Sequence, residues 1–160
     1  AAVDHVLTLY RPQLKMNGIQ TDVQYSPNLP MTLMDQERIE QVILNLIGNA
    51  VAAMEEKEEK VLRITVGRGT TGKKKGCLRV MIADTGIGIQ KQYMTKLFEP
   101  FFTTKVPSKG TGLGLSISFG IIKDHGGAIW AENNNWGGAS FFFEIPITAD
   151  EDGAALMQRS

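Results

Sequence analysis

The sequence has little of what several protein classes require. Its 160 residues include one cysteine, Cys77, so no disulfide can form within the chain. No apolar run reaches the roughly 18 residues of a membrane span, and residues 1–4 lack the basic and apolar regions of an export signal. Seventeen basic and seventeen acidic residues cancel, which argues against a nucleic-acid-binding domain. We therefore expect a cytoplasmic domain that contacts neither nucleic acid nor membrane.

The composition is that of a globular protein, with 42% hydrophobic residues. The length suits one domain, which we place at 1–148. Periodicity is lost beyond it, so residues 149–160 are predicted to form a disordered tail. The glycine- and lysine-rich stretch 67–76 predicts a solvated turn. It nearly matches a P-loop, but Lys74 stands where that motif needs serine or threonine.

Hydrophobic periodicity predicts an alternation of strands and helices. Strands are predicted over Ile19–Tyr25, Val61–Val66, Leu78–Ala83, Ala128–Glu132 and Ser140–Ile147. The second and third are rich in Val, Ile and Leu, which predicts burial on both faces. Helices are predicted over Ala2–Met16, from the N-cap Asp35 through Met54, over Gln90–Leu97 and over Leu113–Asp124. The expected fold class is α+β, a two-layer sandwich of a mixed β-sheet with helices on one face.

Two asparagines lie on the long predicted helix. Asn45 and Asn49 are one turn apart at the border of its apolar stripe. Their amide groups offer oxygen and nitrogen atoms to one spot, where Mg²⁺ or a phosphate could use them. Two solvated amides on an exposed flank are the alternative interpretation.

An aspartate follows the third predicted strand, in the run Asp84-Thr85-Gly86-Ile87-Gly88. A carboxylate there can accept a hydrogen bond from an exocyclic amine such as that of adenine, and the glycines let a ligand approach the backbone. A plain turn at the strand end is one alternative. The Asp-Thr-Gly run also matches the aspartic proteases, which favours half of a protease as a rival function.

A second glycine-rich run, 110–116, opens the last predicted helix. Free backbone amides at a helix N-terminus bind phosphate. The run is no dinucleotide-binding fingerprint, because Leu115 replaces the third glycine. The preceding segment, 97–109, combines an aromatic anchor with Lys105 and Lys109. This pattern is typical of a lid that brings a lysine to phosphate. An irregular surface loop with solvated lysines is the alternative interpretation.

The two histidines are predicted to be structural or surface residues. His125 ends a predicted helix, where a cation complements the helix dipole. His5 lies in the first predicted helix, with Asp4 as its only evident carboxylate.

Together, four elements resemble the N, G1, F and G2 boxes of the ATP-binding catalytic domain of bacterial sensor histidine kinases. This domain belongs to the superfamily shared with DNA gyrase, Hsp90 and MutL. The resemblance covers about residues 4–146 and implies a Bergerat-type fold, in agreement with the periodicity. The boxes are Gln41-x-x-x-Asn45-Leu46-x-x-Asn49-Ala50, Asp84-x-Gly86-x-Gly88, Phe98-Glu99-Pro100-Phe101-Phe102 and Gly110-x-Gly112-Leu113-Gly114-Leu115.

The resemblance implies ATP and Mg²⁺ as cofactors. It implies that Asp84 binds the adenine amine, that Asn45 coordinates Mg²⁺ and that Asn49 supports the phosphates. Lys105 is the implied catalytic lysine of the lid. The other implied nucleotide contacts are Ala53, Gly86, Gly88, Ile89, Gly110, Thr111, Gly112, Leu113, Gly114, Leu115 and Ser140.

Gln41 stands where hydrolytic members of the superfamily carry glutamate as a base. Glutamine has no useful basicity, which favours phosphoryl transfer to histidine over hydrolysis. The family's phosphoacceptor pattern does not occur in the sequence. The resemblance therefore implies an acceptor histidine on separate dimerisation helices, a response regulator as downstream partner, and a monomeric fragment of a homodimeric kinase. An ATPase or a protein-serine kinase of the same superfamily is the alternative.

Overall fold

The computed structural model describes residues 2–27, 29, 34–69, 76–99 and 114–147. The five predicted strands are confirmed, and each end lies within three residues of its predicted position. The elements are α1 (Ala2–Met16), β1 (Gln20–Tyr25), α2 (Gln36–Ala53), β2 (Val61–Gly69), β3 (Cys77–Asp84), a 3-10 helix (Lys91–Tyr93), α3 (Gly114–Asp124), β4 (Ala128–Asn133) and β5 (Ala139–Pro146). The predicted domain boundary at 148 and the tail 149–160 lie outside the described residues.

The strands form one mixed sheet in the order β1-β2-β3-β5-β4. β1 runs parallel to β2, and the other neighbouring pairs are antiparallel. Because β3 and β5 are adjacent, Asp84 at the end of β3 lies beside the start of β5 at Ala139. The predicted α+β class with a mixed sheet is confirmed.

The helices pack on one face of this sheet. Side chains from α1, α2 and α3 share a single core with inward-facing residues of the strands, among them Leu62, Ile64 and Ile82, which are fully buried. Burial of both faces, expected for β2 and β3, is wrong. Along β2 buried and half-buried residues alternate, because only one face is covered by helices.

The opposite face carries polar and aromatic side chains that cover one another. The guanidinium of Arg63 lies 4.5 Å from the centre of the Trp136 ring. Trp130 stacks on Phe142 with ring centres 5.2 Å apart. Arg63 also pairs with Asp22 at 2.9 Å. These contacts explain why an apolar-rich strand has a face that is only half-buried.

Helix α2 is the central element of the helical layer. Its N-cap, Asp35, accepts a hydrogen bond from Arg38 N at 3.4 Å, as the sequence predicts. Its apolar stripe is buried from Ile39 to Ala50. This stripe fixes the rotation of α2, so the polar residues at its border have defined directions.

The helix predicted over Gln90–Leu97 is wrong. A 3-10 helix of three residues is followed by turns, in which Met94 N donates to Lys91 O and Lys96 N donates to Tyr93 O. A segment this short does not recover the cost of nucleating an α-helix. Helix α3 begins at Gly114, and its predicted first residue, Leu113, is not among those described. In the described part of the chain, no helix is long and apolar enough to cross a membrane.

Candidate functional site

Asp84 is the last residue of β3, the middle strand of the sheet. Only 2% of the residue is exposed. Its Oδ1 accepts hydrogen bonds from Gly86 N at 2.8 Å and from Ala139 N at 3.2 Å. Burial raises the pKa of Asp84 above that of an ordinary aspartate, and the two backbone donors oppose the rise. None of the described residues donates a hydrogen bond to Oδ2, so this oxygen can accept one from a ligand.

The loop after Asp84 is packed against the end of α2. Ile87 N donates to Ala53 O at 3.1 Å. A side chain at Gly86 would lie 2.5 Å from the same carbonyl oxygen, so no larger residue fits there. Gly88 has a φ of +76°, a conformation that favours glycine. Ala53, Gly86 and Gly88 are thereby brought to one site with Asp84, as the resemblance implies.

Asn45 is anchored to the start of α3. Its Nδ2 donates to Gly114 O and to the hydroxyl of Ser118, both at 3.2 Å. Because the amide nitrogen is directed at α3, the carbonyl Oδ1 is the group left for a ligand. Mg²⁺ prefers oxygen ligands, so the orientation fits the implied metal ligand. The described residues contain no group of three or more His, Cys, Asp or Glu side chains that could bind a metal.

Helix α2 carries residues at both parts of the site, Asn45 near the start of α3 and Ala53 near the loop after Asp84. Asn49 lies one turn after Asn45 and is half-buried, whereas Gln41, one turn before, is exposed. Eight residues separate Asn45 from Ala53, a rise of about 12 Å along the helix. The same eight residues rotate by about 80° around the helix axis, so Asn45 and Ala53 lie toward one side of α2. The amides are at one end of this side, and the loop after Asp84 contacts Ala53 O at the other.

The glycine-rich run and the lid are described in part. Gly114 and Leu115 lie at the first turn of α3 and are half-buried. Phe98, the first aromatic residue of the predicted anchor, packs against α3, with its ring centre 5.8 Å from that of Phe119. The lid itself stays a prediction. The other predicted residues of these segments lie outside the described part of the chain: Lys105, Lys109, Gly110, Thr111, Gly112 and Leu113.

Ser140 and Ile89 lie on the side of the site formed by the turn between β4 and β5. In the sheet Ser140 pairs with Ala83, which places its side chain on the face opposite Asp84. Its hydroxyl accepts a hydrogen bond from Asn134 Nδ2 at 3.3 Å. A direct contact between Ser140 and a nucleotide stays a prediction.

Asn133 at the end of β4, and Asn134 and Gly138 of the turn that follows, are not among the predicted site residues. The sequence indicates only a turn at 133–138. A side chain at Gly138 would lie 2.6 Å from Asp84 Oδ1, which shows how closely the turn approaches the carboxylate. Three consecutive asparagines before a Gly-Gly pair were the available signal, but which of them points inward depends on the tertiary contacts.

His125 is structural, as predicted, but the cationic role predicted for it is wrong. Its Nε2 accepts a hydrogen bond from Asp35 N at 3.0 Å, so this nitrogen carries no proton. Its Nδ1 donates to Ile121 O at 2.8 Å. The neutral ring thereby joins the start of α2 to the end of α3. His5 also has a partner that the sequence did not predict, Glu40 of α2 at 2.9 Å.

Replacing His125 with alanine should destabilise the domain. The change removes the partner of Asp35 N, so we expect the free energy of unfolding to fall by about 1–3 kcal/mol. Urea denaturation measures this value. His5→Ala is the matched control, because the His5 side chain that bonds to Glu40 is more than half exposed, and the change should cost less than about 1 kcal/mol. Equal losses in the two variants would show that His125 does not link the helices.

Comparison with known proteins identifies the class. Residues 34–149 match the family model for histidine kinase-, DNA gyrase B- and HSP90-like ATPases. The chain is 40% identical over 135 residues to the sensor protein FixL of Bradyrhizobium diazoefficiens, an alignment covering 84% of this chain and 25% of FixL. The chain thus spans about a quarter of the length of this relative.

Solved structures show the same architecture. The nucleotide-free catalytic domain of the histidine kinase ThkA superposes with a TM-score of 0.78 at 36% identity, covering 91% of this chain and 90% of that one. ThkA in complex with the response regulator protein TrrA superposes with a TM-score of 0.73 at 33% identity, covering 92% of this chain and 40% of that one.

The chain belongs to the family of histidine kinase-, DNA gyrase B- and HSP90-like ATPases. Within it, the chain is the ATP-binding catalytic domain of a two-component sensor histidine kinase. The alternative of an aspartic protease is excluded by this membership and by the mixed sheet covered with helices.

Proposed function

We propose that this domain binds ATP with Mg²⁺ between Asp84 and Asn45, and donates the γ-phosphoryl group to a histidine on the dimerisation helices of the full-length kinase. The observation that carries the proposal is the placement of both residues along one side of α2. Asp84 reaches that side through the contact of its loop with Ala53 O. Asn45 lies on the helix itself and is oriented by Gly114.

At the Asp84 end, the site suits the base of the nucleotide. Oδ1 is occupied by two backbone donors, which leaves Oδ2 to accept a hydrogen bond from the exocyclic amine of adenine. Asp84 is buried, so water competes weakly for that bond. Gly86 and Gly88 let the loop after Asp84 pack closely against Ala53 and against the turn between β4 and β5. Ile89, which follows them, would contact the ring.

At the Asn45 end, the site suits the phosphates. Asn45 would offer Oδ1 to Mg²⁺, and the bound ion would neutralise phosphate charge during transfer. Asn49, one turn away, would bind a phosphate oxygen through its amide. Gly114 and the glycines before it would present backbone N–H groups, and Lys105 would approach when the lid closes. Phosphoryl transfer needs mainly such positioning and charge neutralisation.

Gln41 decides between transfer and hydrolysis. It is exposed on the same helix, one turn before Asn45, where a hydrolytic enzyme needs a base for water. A glutamine cannot take up that proton. A neutral histidine needs no such base, because its imidazole nitrogen attacks with its own lone pair. Gln41 therefore favours transfer to histidine over hydrolysis. Similarity to ThkA, which has been solved in complex with a response regulator, supports a response regulator as the next acceptor. We propose a homodimeric kinase as the whole protein.

A labelling experiment with γ-labelled ATP tests the proposal. The 160-residue chain should bind ATP with Mg²⁺, should not label itself, and should label a separately produced dimerisation segment of its kinase. That reaction should be slower than in the full-length kinase, because a tethered reaction has become bimolecular. The label should be acid-labile and alkali-stable, as a phosphohistidine is.

The other outcomes identify the alternatives. Acid-stable label on a protein substrate would identify a serine kinase. Rapid release of phosphate without any acceptor would identify an ATPase; loss of a general base typically lowers a rate by about 10²- to 10⁴-fold. An absence of ATP binding would contradict the whole proposal. Gln41→Glu is the informative variant, since it should raise phosphate release if hydrolysis lacks only the base.

A further inference from the structure

The side chain of Asn134 organises the turn between β4 and β5. Its Oδ1 accepts hydrogen bonds from Trp136 N at 2.9 Å and Gly138 N at 3.1 Å. Its Nδ2 donates to the backbone oxygen of Asp84 at 2.9 Å and to the hydroxyl of Ser140 at 3.3 Å. An asparagine side chain has two N–H donors and two acceptor lone pairs. Asn134 uses all four, and so joins the turn to the strand end that carries Asp84.

This turn also supplies one of the two donors that orient the Asp84 carboxylate. Ala139 N donates to Oδ1, and Ala139 follows the turn directly. Gly138 passes so close that any side chain there would collide with the backbone and the carboxylate of Asp84. A change in the shape of the turn would therefore rotate or displace the carboxylate. Asn134 is the only described residue whose side chain bonds both to the turn and to the Asp84 backbone.

Asn133 fixes the loop after Asp84 to the same turn. Ile89 N donates to Asn133 Oδ1, and Asn133 Nδ2 donates to Ile89 O, each at 2.8 Å. This reciprocal pair imitates the pairing of two antiparallel strands. A side chain at Gly88 would lie 3.1 Å from Asn133 Oδ1, so the loop and the turn are in close contact. Asn133 is exposed, so the pair positions the loop and does not fill the core.

We infer that Asn133 and Asn134 are positioning residues for base recognition: they hold the Asp84 carboxylate and the Ile89 backbone in the orientation that selects adenine. The inference rests on the proposed function. Hypoxanthine has a carbonyl oxygen where adenine has its exocyclic amine, so a fixed carboxylate accepts a hydrogen bond from adenine and repels hypoxanthine. A loosened carboxylate would lose this distinction, while contacts to the phosphates would remain.

Calorimetric titration of the 160-residue chain with ADP and with inosine diphosphate, both with Mg²⁺, tests the inference. The unmodified chain should prefer ADP by about tenfold or more. In Asn134→Ala, ADP affinity should fall about tenfold while inosine diphosphate affinity changes less than about twofold, so most of the preference disappears. Asn133→Ala should show a smaller loss with the same selectivity. Asn135→Ala is the matched control, because Asn135 is exposed in the same turn, and it should keep both affinities.

The possible outcomes distinguish the positioning role of Asn133 and Asn134 from the proposed binding of nucleotide itself. If both nucleotides lost affinity equally in Asn134→Ala, that residue would have a purely structural role. An unchanged preference in both variants would also overturn the inference and leave the proposed function standing. If the unmodified chain bound neither nucleotide, the proposed function itself would fail. Circular dichroism and urea denaturation establish that each variant is folded, and the exposed Asn133→Ala decides the question if Asn134→Ala does not fold.

Discussion

Asp84→Asn should weaken adenine-nucleotide binding by about ten- to hundredfold, because it removes a charged acceptor worth roughly 1.5–3 kcal/mol. The fold should tolerate the change. Asparagine keeps an oxygen that can accept the hydrogen bonds from Gly86 N and Ala139 N. Calorimetry with ADP measures the effect. The control is Asp22→Asn, whose carboxylate pairs with Arg63 on the other face of the sheet, and it should leave the affinity unchanged.

The pH dependence provides a second test of Asp84. Burial raises its pKa, so acidification should protonate Asp84 at a higher pH than an ordinary aspartate. ADP affinity should fall as the pH falls through the pKa of the folded state, and Asp84→Asn should show no such decline. The free energy of unfolding should depend on pH in the opposite direction. A folded-state pKa above the unfolded one means that ionisation of Asp84 costs stability as the pH rises.

Because binding and stability depend on pH in opposite directions, a loss of binding can be distinguished from a loss of folding. At neutral pH, Asp84→Asn should be at least as stable to urea as the unmodified chain, because it removes a buried charge. Unchanged ADP affinity in a folded variant would remove adenine recognition from Asp84. Weak binding together with a large loss of stability would make the effect a consequence of unfolding, and would likewise contradict the proposed role.

Asn45→Ala should remove most of the effect of Mg²⁺ on ATP binding. It deletes the carbonyl oxygen that Asn45 presents while its Nδ2 is bonded to Gly114 O and Ser118 Oγ. In the full-length kinase we expect phosphotransfer to fall by at least about 10²-fold, since stabilisation of charge in the transition state would be lost. ATP titrations at several Mg²⁺ concentrations and the rate of histidine phosphorylation measure the two effects.

A control variant separates the metal role from a general effect of losing an asparagine. Asn17→Ala removes an exposed amide that donates to Gln13 O at the end of α1. This variant should match the unmodified chain in both measurements. If Asn45→Ala kept full phosphotransfer at limiting Mg²⁺, the proposed ligand role of Asn45 would be wrong.

The placement of Asn45 and Asp84, the two principal candidate residues, could be predicted because each lies on a regular element. The helical period places Asn45 at the border of a buried stripe, and the end of a strand places Asp84 at the edge of the sheet. The placement of both side chains follows from the geometry of the helix or strand that carries them. Contacts between different elements do not. The close approach of Gly86 to Ala53 O depends on how the loop after Asp84 packs against the end of α2.

The contacts of Asn134, which we propose to orient the Asp84 carboxylate, are harder to predict for the same reason. Asn134 differs from its exposed neighbour Asn135 only in tertiary contacts, which local propensity does not encode. His125 follows a similar pattern. Its position at a helix end predicts a cation, but a backbone N–H distant in sequence, from Asp35, requires an unprotonated nitrogen. A sequence pattern predicts the element and the face on which a side chain lies. The packing of the other elements decides which groups that side chain contacts.

A crystal structure of the 160-residue chain with Mg²⁺ and a non-hydrolysable ATP analogue would show whether Asp84 and Asn45 bind the two ends of one nucleotide. We expect the exocyclic nitrogen of adenine to lie about 3 Å from a carboxylate oxygen of Asp84. This binding mode also places Asn45 Oδ1 about 2.1 Å from Mg²⁺ bound to the phosphates, on the same side of α2. A nucleotide bound elsewhere on the chain, or one whose base and metal contact neither residue, would contradict it.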